Sequence, residues 1–194
     1  MKKLLLFIFS FFLFTSPTIA LIEVDITRGN LEPLPIAVSP LYVEPGSKDI
    51  KQGGKIIKNI GEEISRVIEV NFKRSGLFNP LNKDSFVQKP DIAHLKPRFE
   101  DWKLIKAQAL VTGKIELENE KLRVEFRLWD VLAAKEMMAL AFTTVPTNWR
   151  RVGHIITDKV YERLTGEKGY FDTRIIYVAE QGPKTQRIKK LAIM

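Results

Sequence analysis

The stretch ALVTGKIELENEKLRVEFRL, residues 109–128, decides the fold. Apolar and polar residues alternate along it with a period of two, which is typical of β-strands that bury one face. The apolar positions form two runs on either side of a turn from Glu118 to Lys121: Ala109, Val111, Gly113, Ile115 and Leu117, then Leu122, Val124, Phe126 and Leu128. We therefore predict two antiparallel strands, and a third strand over residues 136–145 that completes a meander.

The charged residues of these two strands share the opposite face. Lys114 and Glu116 belong to the first strand, and Arg123, Glu125 and Arg127 belong to the second. Opposite charges can pair across neighbouring strands, for roughly 0.2–1 kcal/mol each. One apolar and one charged face is typical of an antiparallel sheet with a single covered side. Helices are therefore expected to cover the apolar side.

Two amphipathic helices are predicted, one on each side of the meander in the sequence. The first covers residues 54–75 and ends at Gly76, which is a typical C-cap residue. The second begins at Thr147 or Asn148, either of which can cap it, and ends at Gly166. Their apolar residues recur at steps of three and four, as in helices that bury one face: Ile56, Ile57, Ile60, Ile64, Val67, Ile68 and Phe72, then Trp149, Val152, Ile155, Ile156, Val160 and Leu164.

A short apolar segment precedes the first helix. Residues 34–43 contain Pro35 and Pro40, and a proline cannot donate a hydrogen bond to a strand ladder. This segment is therefore expected to form a short strand away from the centre of the sheet. Gly61, inside the first helix, costs about 1 kcal/mol relative to Ala and is expected to allow a close approach of helix and sheet. Together these elements predict an α+β fold, with a mixed β-sheet and two main amphipathic helices on one face.

The end of the sequence predicts a separate unit. Residues 165–172 have the composition of a linker or tight loop, and strands over residues 173–180 and 187–194 flank a turn at residues 181–184. A two-stranded hairpin is only marginally stable by itself. We therefore expect residues 167–194 to hold a linker and the first hairpin of a second domain; a hairpin that completes the sheet of the first domain is the alternative.

The first twenty residues have the order of a secretory signal peptide. Lys2 and Lys3 precede an apolar run over residues 4–14, and small residues precede the expected cleavage between Ala20 and Leu21. The run is shorter than the roughly 20 residues that a membrane span needs; a retained anchor is the alternative. The predicted divisions are a signal peptide over residues 1–20, an α/β domain over residues 21–166, and the linker with its hairpin over residues 167–194.

The composition argues against several functional classes. A hydrophobic share of 45% and a charged share of 28% are those of a globular protein. No cysteine is present, which excludes disulfides, thiolate metal sites and a cysteine nucleophile. The two histidines, His94 and His154, belong to no metal-binding or hydrolase motif with the required spacing. The sequence therefore predicts no enzyme, no metal and no cofactor; a small exported hydrolase that uses His154 is the alternative.

The formal net charge of +8 suggests association with acidic partners or an anionic surface. The basic run from Lys184 to Lys190 could contact phosphates. However, Arg187 and Lys189 alternate with Ile188, as on the exposed face of a strand, and export argues against nucleic acid as a partner. We predict no nucleic-acid binding; a basic exported surface-binding module is a further alternative function.

Several stretches carry a family resemblance. The specific ones are Arg74–Phe78 with Pro80 and Leu81, Trp149–His154, Lys159–Gly169 and Phe171–Val178, and the weaker ones are Pro35–Val38, Ala109–Gly113 and Phe126–Asp130. Together they resemble the TolB family of the Tol–Pal system. The resemblance spans essentially all of the chain after Ala20, and it is most specific over the second helix and the linker.

The resemblance implies a fold, a compartment and partners. TolB proteins are non-enzymatic periplasmic adaptors with an N-terminal α/β domain and a six-bladed β-propeller. They link the outer-membrane lipoprotein Pal, which the propeller binds, with inner-membrane TolA, and they support outer-membrane invagination during cell division and envelope integrity. By this resemblance the protein associates with membranes only through its partners. The implied TolA-binding segment opens the mature chain: Leu21, Ile22, Glu23, Val24, Asp25, Ile26 and Thr27.

The alternation of residues 21–27 allows this segment to add a strand to a partner's sheet; a strand in its own sheet is the alternative. The sequence departs from the family at its end, because it stops after one hairpin whereas each propeller blade has about four strands. We therefore expect a chain that is truncated before most of the propeller and that lacks the Pal-binding surface.

Overall fold

The computed structural model describes residues 32–47, 50–52, 55–174 and 176–193. Within these ranges, two single turns of 3₁₀ helix, Lys83–Ser85 and Pro146–Asn148, accompany the main elements. Those elements are, in chain order, β1 (Leu34–Val38), β2 (Tyr42–Val43), β3 (Ile50–Gln52), β4 (Lys55–Ile57), α1 (Ile60–Ser75), β5 (Phe78–Pro80), α2 (Pro90–Ala93), α3 (Phe99–Leu104), β6 (Ala109–Glu118), β7 (Lys121–Asp130), β8 (Lys135–Thr144), α4 (Trp149–Thr165), β9 (Ile176–Gln181) and β10 (Ile188–Ile193).

The main sheet is mixed, as predicted. Its strands lie in the order β5-β1-β6-β7-β8, and β2 also pairs with β6. Strand β1 runs parallel to both β5 and β6, whereas β6, β7 and β8 form the predicted antiparallel meander. In the β6–β7 register Gly113 lies opposite Phe126 and Glu116 lies opposite Arg123, so apolar and charged residues separate to opposite faces.

The two long helices cover one face of this sheet, which confirms the predicted architecture. The main core is formed by the apolar faces of α1 and α4 with the inward residues of the strands. Its fully buried members include Ile64, Ile68 and Phe72 of α1, and Ile156 and Val160 of α4. Burying each such side chain contributes about 1.5–3 kcal/mol, so this layer dominates the stability of the domain.

A second, smaller core lies on the other face of the sheet and was not anticipated from the sequence. It gathers Trp102 of α3 with Leu110 and Trp129 of the meander. Both indoles are buried and hydrogen-bonded, since Trp102 Nε1 donates to Gln88 Oε1 at 2.9 Å and Trp129 Nε1 donates to Thr112 Oγ1 at 2.9 Å. The chain between β5 and β6 therefore packs as a cap over one end of the outer face.

The rest of the outer face carries the charged residues of the meander. Arg123 contacts Glu116 across the strands at 3.8 Å and Glu125 along its own strand at 2.8 Å. Arg127 contacts Glu136 of β8 at 3.6 Å. The hydrogen bond from Arg123 also lowers the pKa of Glu125. The predicted cross-strand pairing is thus confirmed, although exposed pairs of this kind contribute little stability.

The first helix is shorter than predicted. It begins at Ile60 rather than near residue 54, and residues 55–57 form strand β4 instead. The residue before the helix, Asn59, has a φ of 54°, a left-handed conformation that Asn tolerates better than most residues. This conformation reverses the chain before the helix starts, so Ile56 and Ile57 fit the helical spacing in sequence without belonging to the helix.

The position of β1 also differs from the prediction, because this strand lies inside the sheet rather than at its margin. The Pro35 carbonyl accepts a hydrogen bond from Gln108 N at 3.0 Å, just before β6 begins. The ladder position of the missing Pro35 N–H therefore falls before the first residue of β6. Proline is compatible with a central strand at such a place, where the neighbouring strand has not yet started.

Candidate interaction site

The predicted binding segment, Leu21 to Thr27, and the predicted cleavage point between Ala20 and Leu21 lie outside the described residues. The structure does describe the strand that follows this segment. The chain enters β1 at Leu34, whose N–H donates to Leu77 O at 2.9 Å. On the other side of β1, Ile36 is in register with Ala109 of β6. The segment is therefore joined to a strand that is hydrogen-bonded to neighbours on both sides.

His154 lies in a polar contact between α1 and α4. The Asn71 amide nitrogen is 2.9 Å from His154 Nδ1 and donates to Thr157 Oγ1 at 3.1 Å. Thr157 in turn donates to Gly153 O at 2.8 Å. Burial lowers the pKa of His154, which the negative charge of Asp172 partly opposes. The neutral ring is thus favoured, and it can accept the amide hydrogen bond.

These contacts indicate a structural role for His154. Among the described residues its hydrogen bond goes to an amide, and no acid or hydroxyl bonds to the ring. A general base needs a nucleophile within hydrogen-bond reach. The hydrolase alternative therefore has no support in the described contacts of this ring.

The linker after α4 is held by an aspartate of that helix. Asp158 Oδ1 accepts from Phe171 N at 2.7 Å and Asp158 Oδ2 accepts from Asp172 N at 3.0 Å. Gly169 packs against the same side chain, so that a Cβ there would lie 2.4 Å from Asp158 Oδ1. One carboxylate thus satisfies two backbone donors, in hydrogen bonds that its charge strengthens.

A second set of contacts holds the same segment. Arg151 donates to both carboxylate oxygens of Asp172, with distances from 3.0 to 3.2 Å. The ring of Tyr161 on α4 packs edge-on against Tyr170 and Phe171, with centroids 5.6 and 5.8 Å away. We call Arg151, Asp158, Tyr161 and residues 169–172 together the linker clamp.

The hairpin β9–β10 is formed as predicted and exposes its apolar residues. Ile176 and Val178 of β9 lie opposite Ile193 and Leu191 of β10, so all four share one face. Their exposed fractions range from 55% for Val178 to 79% for Leu191. Near the turn, Glu180 contacts Arg187 and Lys189 of the basic run at 2.5 and 3.1 Å.

The other features that could form a binding or catalytic site have fewer supporting contacts. His94 stacks on Tyr42, with ring centroids 4.5 Å apart. It borders a cavity of about 210 Å³ that Lys114, Arg127 and Glu125 also line. No group of three metal-ligating side chains occurs in the described parts of the chain. None of the helices in the same residue ranges has both the length and the hydropathy of a membrane span.

Comparison with known protein families decides the affiliation of the chain. The family model described as the TolB amino-terminal domain matches residues 22–137, which is more than half of the sequence. The chain belongs to this family.

Individual relatives of the TolB amino-terminal domain agree with this assignment. The chain is 76% identical over 177 residues to the Tol-Pal system protein TolB of Pelagibacter ubique (strain HTCC1062), covering 90% of this chain and 39% of that protein. The crystal structure of TolB from Acinetobacter baumannii matches with a TM-score of 0.64 at 21% identity, covering 89% of this chain and 39% of that one. The chain thus spans well under half the length of either relative.

The TolB amino-terminal match ends inside β8, so α4, the linker clamp and the hairpin lie beyond it. No motif or spacing in the sequence indicates a role for Asn71, Arg151, Asp158 or Asp172. Arg151 and Asp172 do fall within the stretches that carried the resemblance, but spacing alone gave no sign that they meet. Their pairing requires the chain to turn back along α4 after Gly166, whose φ of 75° ends the helix.

Proposed function

We propose that this chain is the amino-terminal part of a periplasmic adaptor of the Tol–Pal system. In this proposal the whole adaptor links inner-membrane TolA with outer-membrane Pal, and it supports outer-membrane invagination during division and envelope integrity. The observation that carries the proposal is the 76% identity to a Tol-Pal system protein TolB. The family match over residues 22–137 supports it independently.

The proposal divides the chain into three parts. Residues 1–20 direct export and are removed between Ala20 and Leu21, residues 21–166 form the adaptor domain, and residues 167–194 form a linker and the first hairpin of a propeller. The exposed apolar face of the hairpin is consistent with further chain packing on it, because the relatives are longer. The Pal contact is proposed for those longer relatives, in the portion that this chain does not cover.

TolA is proposed to bind Leu21 to Thr27 by strand addition. In this mode main-chain hydrogen bonds supply affinity, and alternate side chains enter pockets of the partner. Ile22, Val24 and Ile26 would then face TolA, whereas Glu23 and Asp25 would face solvent. Six residues separate Thr27 from Leu34, a reach of about 20 Å when extended. The segment can therefore reach a partner while β1 stays in the sheet.

Isothermal titration of purified TolA with the mature chain tests this proposal. Replacing Ile22, Val24 and Ile26 together by Ser is expected to weaken binding at least about 100-fold, because three buried aliphatic side chains are lost and each contributes about 1.5–3 kcal/mol. The matched control replaces Glu23 by Gln and Asp25 by Asn on the other face of the segment. That control should bind within about threefold of the native chain.

Val24→Pro supplies a second variant, because it removes one main-chain donor from the middle of the segment. Native affinity for TolA in both the apolar triple variant and the Val24→Pro variant would refute the proposal that residues 21–27 bind TolA. Circular dichroism of each variant should match that of the native chain, since residues 21–27 precede the described core. Equal losses for both faces of the segment would instead contradict strand addition as the mode.

A further inference from the structure

The segment after α4 has the composition of a flexible linker, with Gly166, Gly169 and charged residues between them. Its contacts are those of a fixed element. Two backbone N–H groups, the Asp172 carboxylate and two aromatic rings tie residues 170–172 to one face of α4. Connecting segments usually run over the surface and are more mobile than the elements that they join, so these contacts distinguish this segment from an ordinary linker.

We propose that the linker clamp is a rigid joint, which locks residues 169–172 onto α4 so that the chain leaves the helix in one fixed direction. Asp158 is the central group of the joint, because its two carboxylate oxygens each accept one backbone hydrogen bond from the linker. Arg151 is a positioning residue, because its guanidinium holds the Asp172 side chain in a two-oxygen contact.

Several features of the site make the joint specific. Gly169 lies so close to Asp158 that a Cβ would come within 2.4–2.6 Å of three of its atoms. The clamp is also anchored in the main core, because Tyr161 is buried there and the centre of its ring lies 6.1 Å from that of Phe78. The face of α4 that holds the linker is therefore fixed to the layer that forms the main core.

Distance measurement between two spin labels tests the joint directly. Because the chain has no cysteine, Glu162→Cys on α4 and Arg174→Cys, two residues beyond the clamp, provide two unique labelling positions. A rigid joint gives one narrow distance distribution for these labels. Asp158→Ala, which removes both carboxylate acceptors, is expected to broaden that distribution at least twofold.

Limited trypsin digestion gives an independent readout at Lys168. In the native chain, cleavage after Lys168 is expected to be at least about tenfold slower than cleavage after Lys184, because it requires the clamp to open. Asp158→Ala should raise the Lys168 rate about tenfold or more, since charge-assisted hydrogen bonds are lost, and should leave the Lys184 rate unchanged. Arg151→Gln should raise it by a smaller factor. Asp91→Ala, which removes an exposed carboxylate far along the chain, is the matched control and should change neither rate.

Two results would refute the proposal of a rigid joint. One is a native distance distribution as broad as that of the Asp158→Ala chain. The other is native cleavage at Lys168 as fast as at Lys184. If Asp158→Ala fails to fold, Arg151→Gln carries the same test at an exposed side chain. The amide heteronuclear NOE values of Phe171 and Asp172 then decide the matter in the native chain, where a rigid joint gives values equal to those of α4.

Discussion

Replacing Gly61 by Ala tests whether α1 needs a residue without a side chain at the place where its backbone meets that of Leu41. A Cβ at this position would lie 1.9 Å from Leu41 O and 2.9 Å from Leu41 C. The same two residues are also joined by a hydrogen bond from Leu41 N to Gly61 O at 3.2 Å. The obstacle is therefore backbone held on both sides, and it cannot rotate away as a side chain would.

Two effects of Gly61→Ala oppose each other. Alanine favours the helix by about 1 kcal/mol over glycine. Overpacking against fixed backbone typically costs about 1–3 kcal/mol and at times more, and here the helix must move by more than 1 Å to restore an ordinary contact. We expect a net loss of about 1–2 kcal/mol in the free energy of unfolding, because the contact starts far inside the overpacked range.

Urea unfolding followed by circular dichroism measures this loss as a lower midpoint at unchanged slope. Val70→Ala, at an exposed position of α1, is the control for helix propensity and should be neutral or slightly stabilising. Gly153→Ala is the control for crowding by a side chain, because its nearest obstacle is Val67 Cγ1 at 2.8 Å. A Gly61→Ala chain as stable as the native one would refute the argument from backbone crowding.

Three further changes test other parts of the structure. Because burial lowers the folded-state pKa of His154, the unfolded chain binds the ring proton more tightly, so stability should fall as the pH drops below about 6.5. His154→Gln should flatten this part of the stability–pH profile. A variant with the same profile as the native chain would contradict the assignment of this pH dependence to His154. Gln88→Ala removes the acceptor shared by Trp102 Nε1 and Arg98 N and should cost about 2–4 kcal/mol in thermal or urea unfolding, whereas a loss under about 0.5 kcal/mol would show that water replaces it. Leu191→Ser, at a side chain 79% exposed, should change the unfolding of the main domain by less than about 0.5 kcal/mol, and a larger drop would place the hairpin within its cooperative unit.

The sequence predicted which elements form the layers of this fold better than it predicted where those elements begin and where they lie in the sheet. The meander followed from strict alternation in residues 109–128, and α4 from a regular stripe that ended at Gly166, since both patterns are local. The start of α1 could not be placed, because Ile56 and Ile57 fit the helical spacing and only the left-handed Asn59 separates them from the helix. The central position of β1 was also hidden, because it depends on where β6 begins relative to Pro35.

The same distinction holds for the candidate site. The alternating segment of residues 21–27 is visible in the sequence, so a strand-addition hypothesis could be made from it. The linker clamp was not visible, because Arg151 and Asp172 are 21 positions apart and meet only after the chain reverses at the end of α4. The second core was missed for a related reason, since Trp102 and Trp129 belong to separate elements that no single period connects.

The place of β1 between two parallel neighbours has a mechanical consequence. Tension applied to the chain at Glu32 and directed along the strand would act on its bonds to both neighbours at once, among them Leu34 N to Leu77 O, Gln108 N to Pro35 O and Ser39 N to Val111 O. Such loading is in shear, and it resists rupture better than the bond-by-bond peeling of an edge strand. A partner that pulled on the leading segment would therefore transmit its force to the body of the domain before the sheet gave way.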